Sequence, residues 1–499
     1  MKNIYEGLVM TDIDLIPKES PAFNGDYLCT WWNQCGAAAD MGLTGEGLSE
    51  WRDALCQEAV FDTEKYYHPI KRELRGSLVF LLDDGWDMPL GTPNDDARRP
   101  LYGSIDPDSV KFSRFGDTPE KRLKGMSDKI KEMGYAGLGL WVSPQVSSHR
   151  GEGEDDPKTY WENRARWCAA AGILYWKVDW GAMDHDDDYR ELITDCVHRC
   201  APDIYVEHAV IQKPLTHNHN DDKFLENRAK RVMRQMSFAD AYRTYDVLEP
   251  FDKVCTLRRA HEALLAGGLE AHSGRGLVNG ENIYSVVAGL GLAAGIMNYN
   301  HNAKACINWH KFAPPFGIFD AEYKYSEKVL TDTLFFDTEI CEWAACKGRV
   351  VSESAPAVMS RNCPLPKVNP LTENEPFVIA SKHPETKAYA VATIKRNIDP
   401  VTNAYFLADV EIAECEKSAP IGVFGVFNSL TVDFSSPVQK IERVLCQDLA
   451  GKHTFDITPY THLEDGKLRI DGTVLRYVGK TGCGHSNWSE PSVIIKIEE

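Results

Sequence analysis

The run Leu174-Tyr175-Trp176-Lys177-Val178-Asp179-Trp180-Gly181 decides the reading of this chain. It starts as an apolar strand and ends by presenting a lysine, a carboxylate and two aromatics. Lys177 and Asp179 are two residues apart, so on an extended strand they leave the same face. A strand that is apolar throughout is the kind buried in a parallel sheet. In a parallel α/β barrel, the C-terminal end of such a strand is where chemistry sits.

Similar units lie on both sides. Residues 27–32 (YLCTWW) and 78–82 (LVFLL) read as the first and second strands. Thr118 caps a helix that starts at Pro119, carries Leu123, Met126, Ile130 and Met133 on one face, and stops at Gly134. Strands three, four and five are predicted over 136–142, 173–178 and 204–206, separated by helices over 158–171 and 189–200. A sixth strand follows over 241–245, with a helix over 251–266, and a seventh near 268–272. After an apolar helix, an eighth is expected at 296–298, with a closing helix over 322–346. Repeated strand–helix units of this length predict a TIM (β/α)8 barrel. Beyond about Val350, proline-rich connectors separate short strand-like runs such as 377–380, 388–394 and 421–427. These predict a C-terminal antiparallel β-sandwich. The expected division is an N-terminal extension (1–24), a barrel domain (25–348) and a sandwich domain (349–499).

Composition sets bounds. A chain of 499 residues is too long for one ordinary domain, and 43% hydrophobic and 10% aromatic residues supply an ample core. The net charge of -19 argues against nucleic acid or an anionic membrane as partner. A neutral substrate fits it, and a homo-oligomer is compatible with it. The first 17 residues hold no uninterrupted apolar stretch of the signal-peptide kind, so a cytoplasmic location is expected. The 14 cysteines show no paired C-x-x-C spacing, which leaves reduced thiols and no zinc site as the expectation.

The strand ends carry the candidate chemistry. Strand two runs into Asp83-Asp84-Gly85-Trp86. Two buried adjacent carboxylates are costly without hydrogen-bond donors, and sugar hydroxyls are good ones. Strand four supplies Lys177 and Asp179; an adjacent lysine keeps an aspartate ionised, as a glycosyl nucleophile requires. Strand five continues into Glu207-His208, with Glu207 a candidate acceptor for a substrate hydroxyl. Strand six gives Arg243-Thr244-Tyr245-Asp246. Asp246 is the natural partner of Asp179 across the mouth, and a separation of about 5–5.5 Å would suit retaining glycoside hydrolysis. Arg243 would pin Asp246 or a sugar hydroxyl. Trp32, Trp86 and Trp180 are the aromatics expected to line a pocket; Trp31, Trp141 and Trp176 are assigned to the core. The acidic run Asp184 to Asp188 lacks the spacing of a calcium loop and suits the start of a helix instead.

These motifs, in this order, resemble the α-galactosidase clan, glycoside hydrolase families 27 and 36. Asp83 to Trp86 is similar to the clan's Asp-Asp-(Gly or Cys)-Trp after strand two. Lys177 to Asp179 is similar to its Lys-x-Asp, whose aspartate is the nucleophile. Arg243 and Asp246 resemble its arginine and acid/base aspartate. Residues 139–144 look like the family 36 strand-three segment. Glu207 falls where family 27 meets the sugar 2-substituent. The resemblance spans roughly 25–345. The first strand and the segment expected after strand seven depart from family 27. The implied function is a retaining α-glycosidase acting on terminal α-galactosides or related pyranosides. Asp179 and Asp246 would be catalytic, Asp83, Asp84, Lys177 and Arg243 would hold hydroxyls, and no cofactor or metal would be needed. A transglycosylase with the same dyad and a non-catalytic carbohydrate-binding barrel are the alternatives.

Overall fold

The computed structural model describes residues 8–43, 48–92, 102–145, 156–209, 222–244, 252–337, 347–371, 374–396, 407–482 and 490–498. Eight strands form the central sheet: β1 (Tyr27–Cys29), β2 (Val79–Leu82), β3 (Gly137–Val142), β4 (Tyr175–Val178), β5 (Tyr205–Ala209), β6 (Ala241–Arg243), β7 (Leu277–Asn279) and β8 (Gly295–Ile296). Every neighbouring pair is parallel, from β7 through β1 to β8. A parallel bridge between Asn279 and Ala293 closes the ring. Helices follow the strands on the outside. They are α1 (Trp31–Asp40), α2 (Pro119–Glu132), α3 (Pro157–Ala171), α4 (Asp187–Cys200), α5 (Asp222–Met236), α6 (Asp252–Leu264), α7 (Tyr284–Leu290) and α8 (His301–Trp309). This is the expected TIM barrel.

Local chemistry sets the helix ends. The Thr118 side chain accepts from the Lys121 amide at the start of α2, with Pro119 in the first turn. Asp186 does the same for Tyr189 at the start of α4, so the acidic run begins a helix, where negative charge is favoured. Gly172 ends α3 in the left-handed conformation (φ 71°). Two apolar layers result. One, between strands and helices, holds Leu28, Phe80, Leu82, Leu138, Leu140, Trp176 and Val178. The other fills the barrel axis with Tyr27, Cys29, Val79, Leu81, Tyr175, Ala241 and Leu277. Gly139 belongs to the crowded axis: a Cβ there would meet Val79 at 2.7 Å and Tyr175 at 3.1 Å.

Three expectations fail in detail. The first strand ends at Cys29, and Trp31 and Trp32 open α1 instead of extending it. The seventh strand is Leu277–Asn279, not 268–272, and it is only three residues long. That is too short for hydrophobic periodicity to register. The closing helix is absent among the described residues of its range: Tyr323–Tyr325 and Val329–Phe336 are strands. The second pairs antiparallel with Arg349–Pro356. Its residues alternate in burial, Leu330 and Asp332 in, Val329 and Thr331 out, which is strand periodicity.

The β-rich remainder is a sandwich. A nine-stranded sheet, which includes Tyr323–Tyr325, faces a five-stranded sheet, and Val378, Val391, Val410, Ile412, Leu430 and Ile495 fill the space between them. Pairing is mainly antiparallel, with parallel contacts where 358–361 meets 378–381, 389–392 meets 421–424 and 409–415 meets 429–434. The N-terminal strand Val9–Thr11 adds to this sheet, against Thr454–Asp456. Helix α7 seats on the sandwich. A Cβ on Gly289 would lie 2.7 Å from Ile379 and 3.0 Å from Ala392, so only glycine allows that approach.

Candidate active site at the mouth of the barrel

Seven strands deliver polar side chains to one end of the barrel. From β2 come Asp83 and Asp84, both buried. Asp83 Oδ2 accepts from Lys177 Nζ at 2.5 Å and from the Cys29 thiol at 2.9 Å, while its Oδ1 accepts the Asp84 amide. Asp84 is gripped in two-pronged fashion by Arg52, Nε to Oδ1 at 3.0 Å and Nη2 to Oδ2 at 2.6 Å. The Arg52 guanidinium in turn lies 4.3 Å over the Tyr102 ring. Burial, aided by Asp83 and Asp87 and opposed by Arg52, pushes the Asp84 carboxyl up to about 6. Gly85 makes the turn with φ 114°; a Cβ there would meet Arg52 at 2.6 Å.

Asp179 stands just beyond β4. Its amide continues the ladder to the Val142 carbonyl. Its Oδ2 accepts from the Trp141 indole N–H at 3.0 Å and pairs with Arg243 Nη2 at 3.1 Å. Its Oδ1 is buried and has no hydrogen-bond partner among the described residues. Burial pushes this carboxyl up, but Arg243, Lys177 and the Trp141 indole outweigh burial and hold it below the ordinary aspartate value. The low value favours the ionised carboxylate, with Oδ2 held and Oδ1 without a hydrogen-bond partner among the described residues.

Here the charge pairing differs from expectation. Lys177 does leave β4 on the same face as Asp179, yet its short contact is with Asp83. The cation in contact with Asp179 is Arg243, which had been expected to pin Asp246 or a hydroxyl. The barrel's register explains this. Arg243 lies beside Ala209 on β5 and Asn279 on β7, and it is long enough to cross the axis. One guanidinium thus meets three acids: Asp179, Glu207 (Nε to Oε1, 3.7 Å) and Glu281 (Nη1 to Oε1, 3.7 Å).

Glu207 has partners other than a substrate hydroxyl. It is fully buried beneath Arg243 and accepts from Tyr27 Oη (3.2 Å), Tyr175 Oη (2.8 Å) and Asn279 Nδ2 (2.7 Å). Both phenols are pushed well above their usual range by burial and then by Glu207, so they remain O–H donors. In this structure Glu207 supports the arginine from below. His208 is likewise interior. Arg190 Nη1 is 3.2 Å from its Nδ1 and Thr194 Oγ1 is 2.8 Å from its Nε2, and burial lowers its pKa, so the ring is neutral. Arg190 also donates to the carbonyls of Val178, Asp179 and Asp184, which locks the backbone that carries Asp179.

The three tryptophans separate. Trp180 is half-buried, with its ring 5.3 Å from Tyr102 and 5.4 Å from Trp141. Trp86 is fully buried and donates its indole N–H to the Trp141 carbonyl, so it supports Trp141 from behind. Trp32 is 62% exposed on α1. Asp246, and Tyr245 before it, lie outside the described residues. Trp141, Cys29, Arg52, Arg190 and Glu281 are the participants that sequence reasoning missed. The indole of Trp141 looks like core until its N–H is seen to face a carboxylate. Among the described residues, no group of three or more His, Cys, Asp or Glu side chains is placed to hold a metal ion.

No protein-family model matches the chain, and no curated protein matches it. Solved structures do. The chain is similar to a family GH27 β-L-arabinopyranosidase from Geobacillus stearothermophilus, at 9% identity over 96% of this chain and 97% of that one, with a TM-score of 0.36. It is similar to α-galactosidase I from Mortierella vinacea, at 12% identity over 90% of this chain and 96% of that one, TM-score 0.32. It is also similar to an α-galactosidase from Saccharomyces cerevisiae, at 10% identity over 87% of this chain and 82% of that one, TM-score 0.32.

Proposed function

We propose that this protein is a retaining α-glycosidase acting on terminal α-galactosides or closely related pyranosides. The observation that carries the reading is Asp179: ionised, buried at the barrel mouth, Oδ2 fixed by Trp141 and Arg243, Oδ1 without a partner among the described residues. A carboxylate held this way is suited to attack on an electrophilic carbon. Asp83 and Asp84, clamped by Lys177 and Arg52, offer acceptor oxygens that are already desolvated and oriented, which suits sugar hydroxyls.

In this reading Asp179 Oδ1 attacks the anomeric carbon as the bond to the leaving oxygen breaks. Asp246, three residues beyond Arg243, protonates that oxygen and later takes a proton from the water that releases the sugar. When Asp179 becomes an ester its negative charge is lost. Arg243 then still has Glu207 and Glu281 beside it, so the cation is not stranded. Trp180 offers its ring to the C–H face of the sugar. The chemistry requires no cofactor or metal.

The test uses a panel of aryl α-pyranosides and the variant Asp179→Gly. The wild type should release the first product with retained anomeric configuration, read by proton NMR. D179G should lose turnover and recover it with azide, giving a glycosyl azide of inverted configuration. Ordinary hydrolysis by D179G removes the assigned nucleophile. Wild-type binding of sugars without turnover of any substrate would instead support a non-catalytic barrel.

A further inference from the structure

Glu281 follows β7 by two residues and holds a backbone conformation unusual for a glutamate, with φ 46°. Non-glycine residues in this region are strained and persist only where surrounding contacts enforce them. Here the enforcing contact is visible. The Glu281 amide donates to Asn279 Oδ1 at 2.8 Å, and the same Asn279 side chain donates to Glu207. One amide side chain therefore fixes two of the three acids around Arg243.

The three acids differ in their access to the mouth. Glu207 has none of its side chain exposed, Asp179 has 5% and Glu281 has 13%. Glu207 is closed in by two tyrosines and Asn279. Glu281 and Asp179 each keep a little exposure and pair with different Nη atoms of the same planar guanidinium. Glu281 and the proposed nucleophile are thus neighbours of one buried cation at the barrel mouth.

We propose that Glu281 is a substrate-contacting, specificity-determining residue that binds the hydroxyl on the ring carbon next to the anomeric centre. The inference rests on the reading of Asp179 as nucleophile. Apart from the leaving oxygen, which departs on the face opposite the nucleophile, a pyranose with its anomeric carbon at Asp179 Oδ1 has two polar neighbours near that carbon, the ring oxygen and the 2-hydroxyl. The ring oxygen can only accept, while a hydroxyl both donates and accepts and so pairs with a carboxyl in either protonation state. Burial, with Glu207 and Asp179 close by, raises the Glu281 carboxyl against the pull of Arg243 and Lys177. A hydroxyl tolerates either state.

The experiment uses the full chain carrying Glu281→Gln and Glu281→Asn. Asparagine accepts the left-handed backbone and shortens the side chain, so E281N tests the contact without forcing the turn. Circular dichroism and thermal melting verify folding of both. Each is assayed on the aryl α-pyranoside the wild type prefers and on its 2-deoxy counterpart. E281N should lose about 100-fold in kcat/KM on the parent sugar and less than about threefold on the 2-deoxy sugar. An equal loss on both, or none on the parent, overturns the proposal while leaving Asp179 in place. If the wild type turns over no glycoside, the reading of Asp179 fails on its own. Glu281 is then tested by titrating methyl α-pyranosides against tryptophan fluorescence. The wild type should bind the parent about tenfold more tightly than the 2-deoxy sugar, and E281N should lose that difference. Equal affinities, or no binding, overturn the proposal.

Discussion

A single indole N–H separates two accounts of Trp141. As a core residue, it would serve only to fill space beside Trp86 and Trp180. As donor to Asp179 Oδ2, it helps decide which oxygen of the carboxylate is available. A hydrogen bond to a charged group contributes about 1.5–3 kcal/mol, so Trp141→Phe should lower kcat by roughly 10- to 150-fold with little change in thermal stability. Steady-state kinetics beside a melting curve checks this; a large stability loss with proportionate activity would return Trp141 to the core. The second residue-scale prediction concerns pH. Asp84 is raised to about 6 and Asp179 lies below its ordinary value. If ionised Asp84 is needed to accept a hydroxyl, kcat/KM should fall as pH drops through about 6, with Asp179 still charged. Asp84→Asn should weaken catalysis and abolish that acid limb; a limb unchanged in D84N assigns it to another group. Asp83, Asp84, Lys177, Asp179 and Arg243 were legible in the sequence as candidates because each lies at or just past the C-terminal end of a strand-like run. Which cation meets which acid was not. Lys177 to Asp83 and Arg243 to Asp179 are contacts across the axis, set by barrel register and side-chain length, and no local spacing encodes them. Glu281 was hidden for another reason: it follows a three-residue strand and sits in a left-handed conformation, its amide held by Asn279.

At the scale of elements, one buried arginine ties down the β4 to α4 connection. Arg190, fully buried on α4, donates to Val178, Asp179 and Asp184 carbonyls and reaches the neutral His208 ring on β5. Helix α4 therefore holds the backbone of the proposed nucleophile from behind. Arg190→Met keeps much of the volume and leaves buried carbonyls without donors, each costing about 1–3 kcal/mol. Urea denaturation should show a destabilisation of about 3 kcal/mol or more, and the folded variant should lose kcat more than KM because Asp179 is less well placed. An unchanged kcat in a destabilised variant would limit Arg190 to a structural role. The elements also show why strand boundaries were harder to read than strand existence. β1, β6 and β7 are three residues each and β8 is two, so their neighbours in the ring, not their own patterns, define them. Val329–Phe336 misled differently. Its apolar residues fit a helix face by count, but their true period is two.

For the whole molecule, a pair far from the mouth reinforces the closure of the barrel. Asp26, just before β1, accepts the Ala294 amide ahead of β8 and pairs with His310, which follows α8, at 2.6 Å. Both side chains are buried, and Cys306 lies 3.7 Å from the other ring nitrogen. This joins helix α8 to the first barrel strand at the end of the barrel opposite the chemistry, where stability rather than function is at stake. Burial alone would lower the His310 pKa, but Asp26 and then Cys306 reverse that and raise it well above the ordinary histidine value. A histidine with a raised folded pKa stabilises the folded state fully below its unfolded pKa of about 6.5, and that contribution is lost as pH rises through the folded pKa. Thermal stability of the wild type should therefore decline as pH is raised from about 6.5 into the alkaline range. His310→Gln should be less stable at pH 6 and should show a flatter profile above it. Melting temperatures across that range, wild type against H310Q, decide the matter. Parallel profiles would mean that His310 does not carry the alkaline loss.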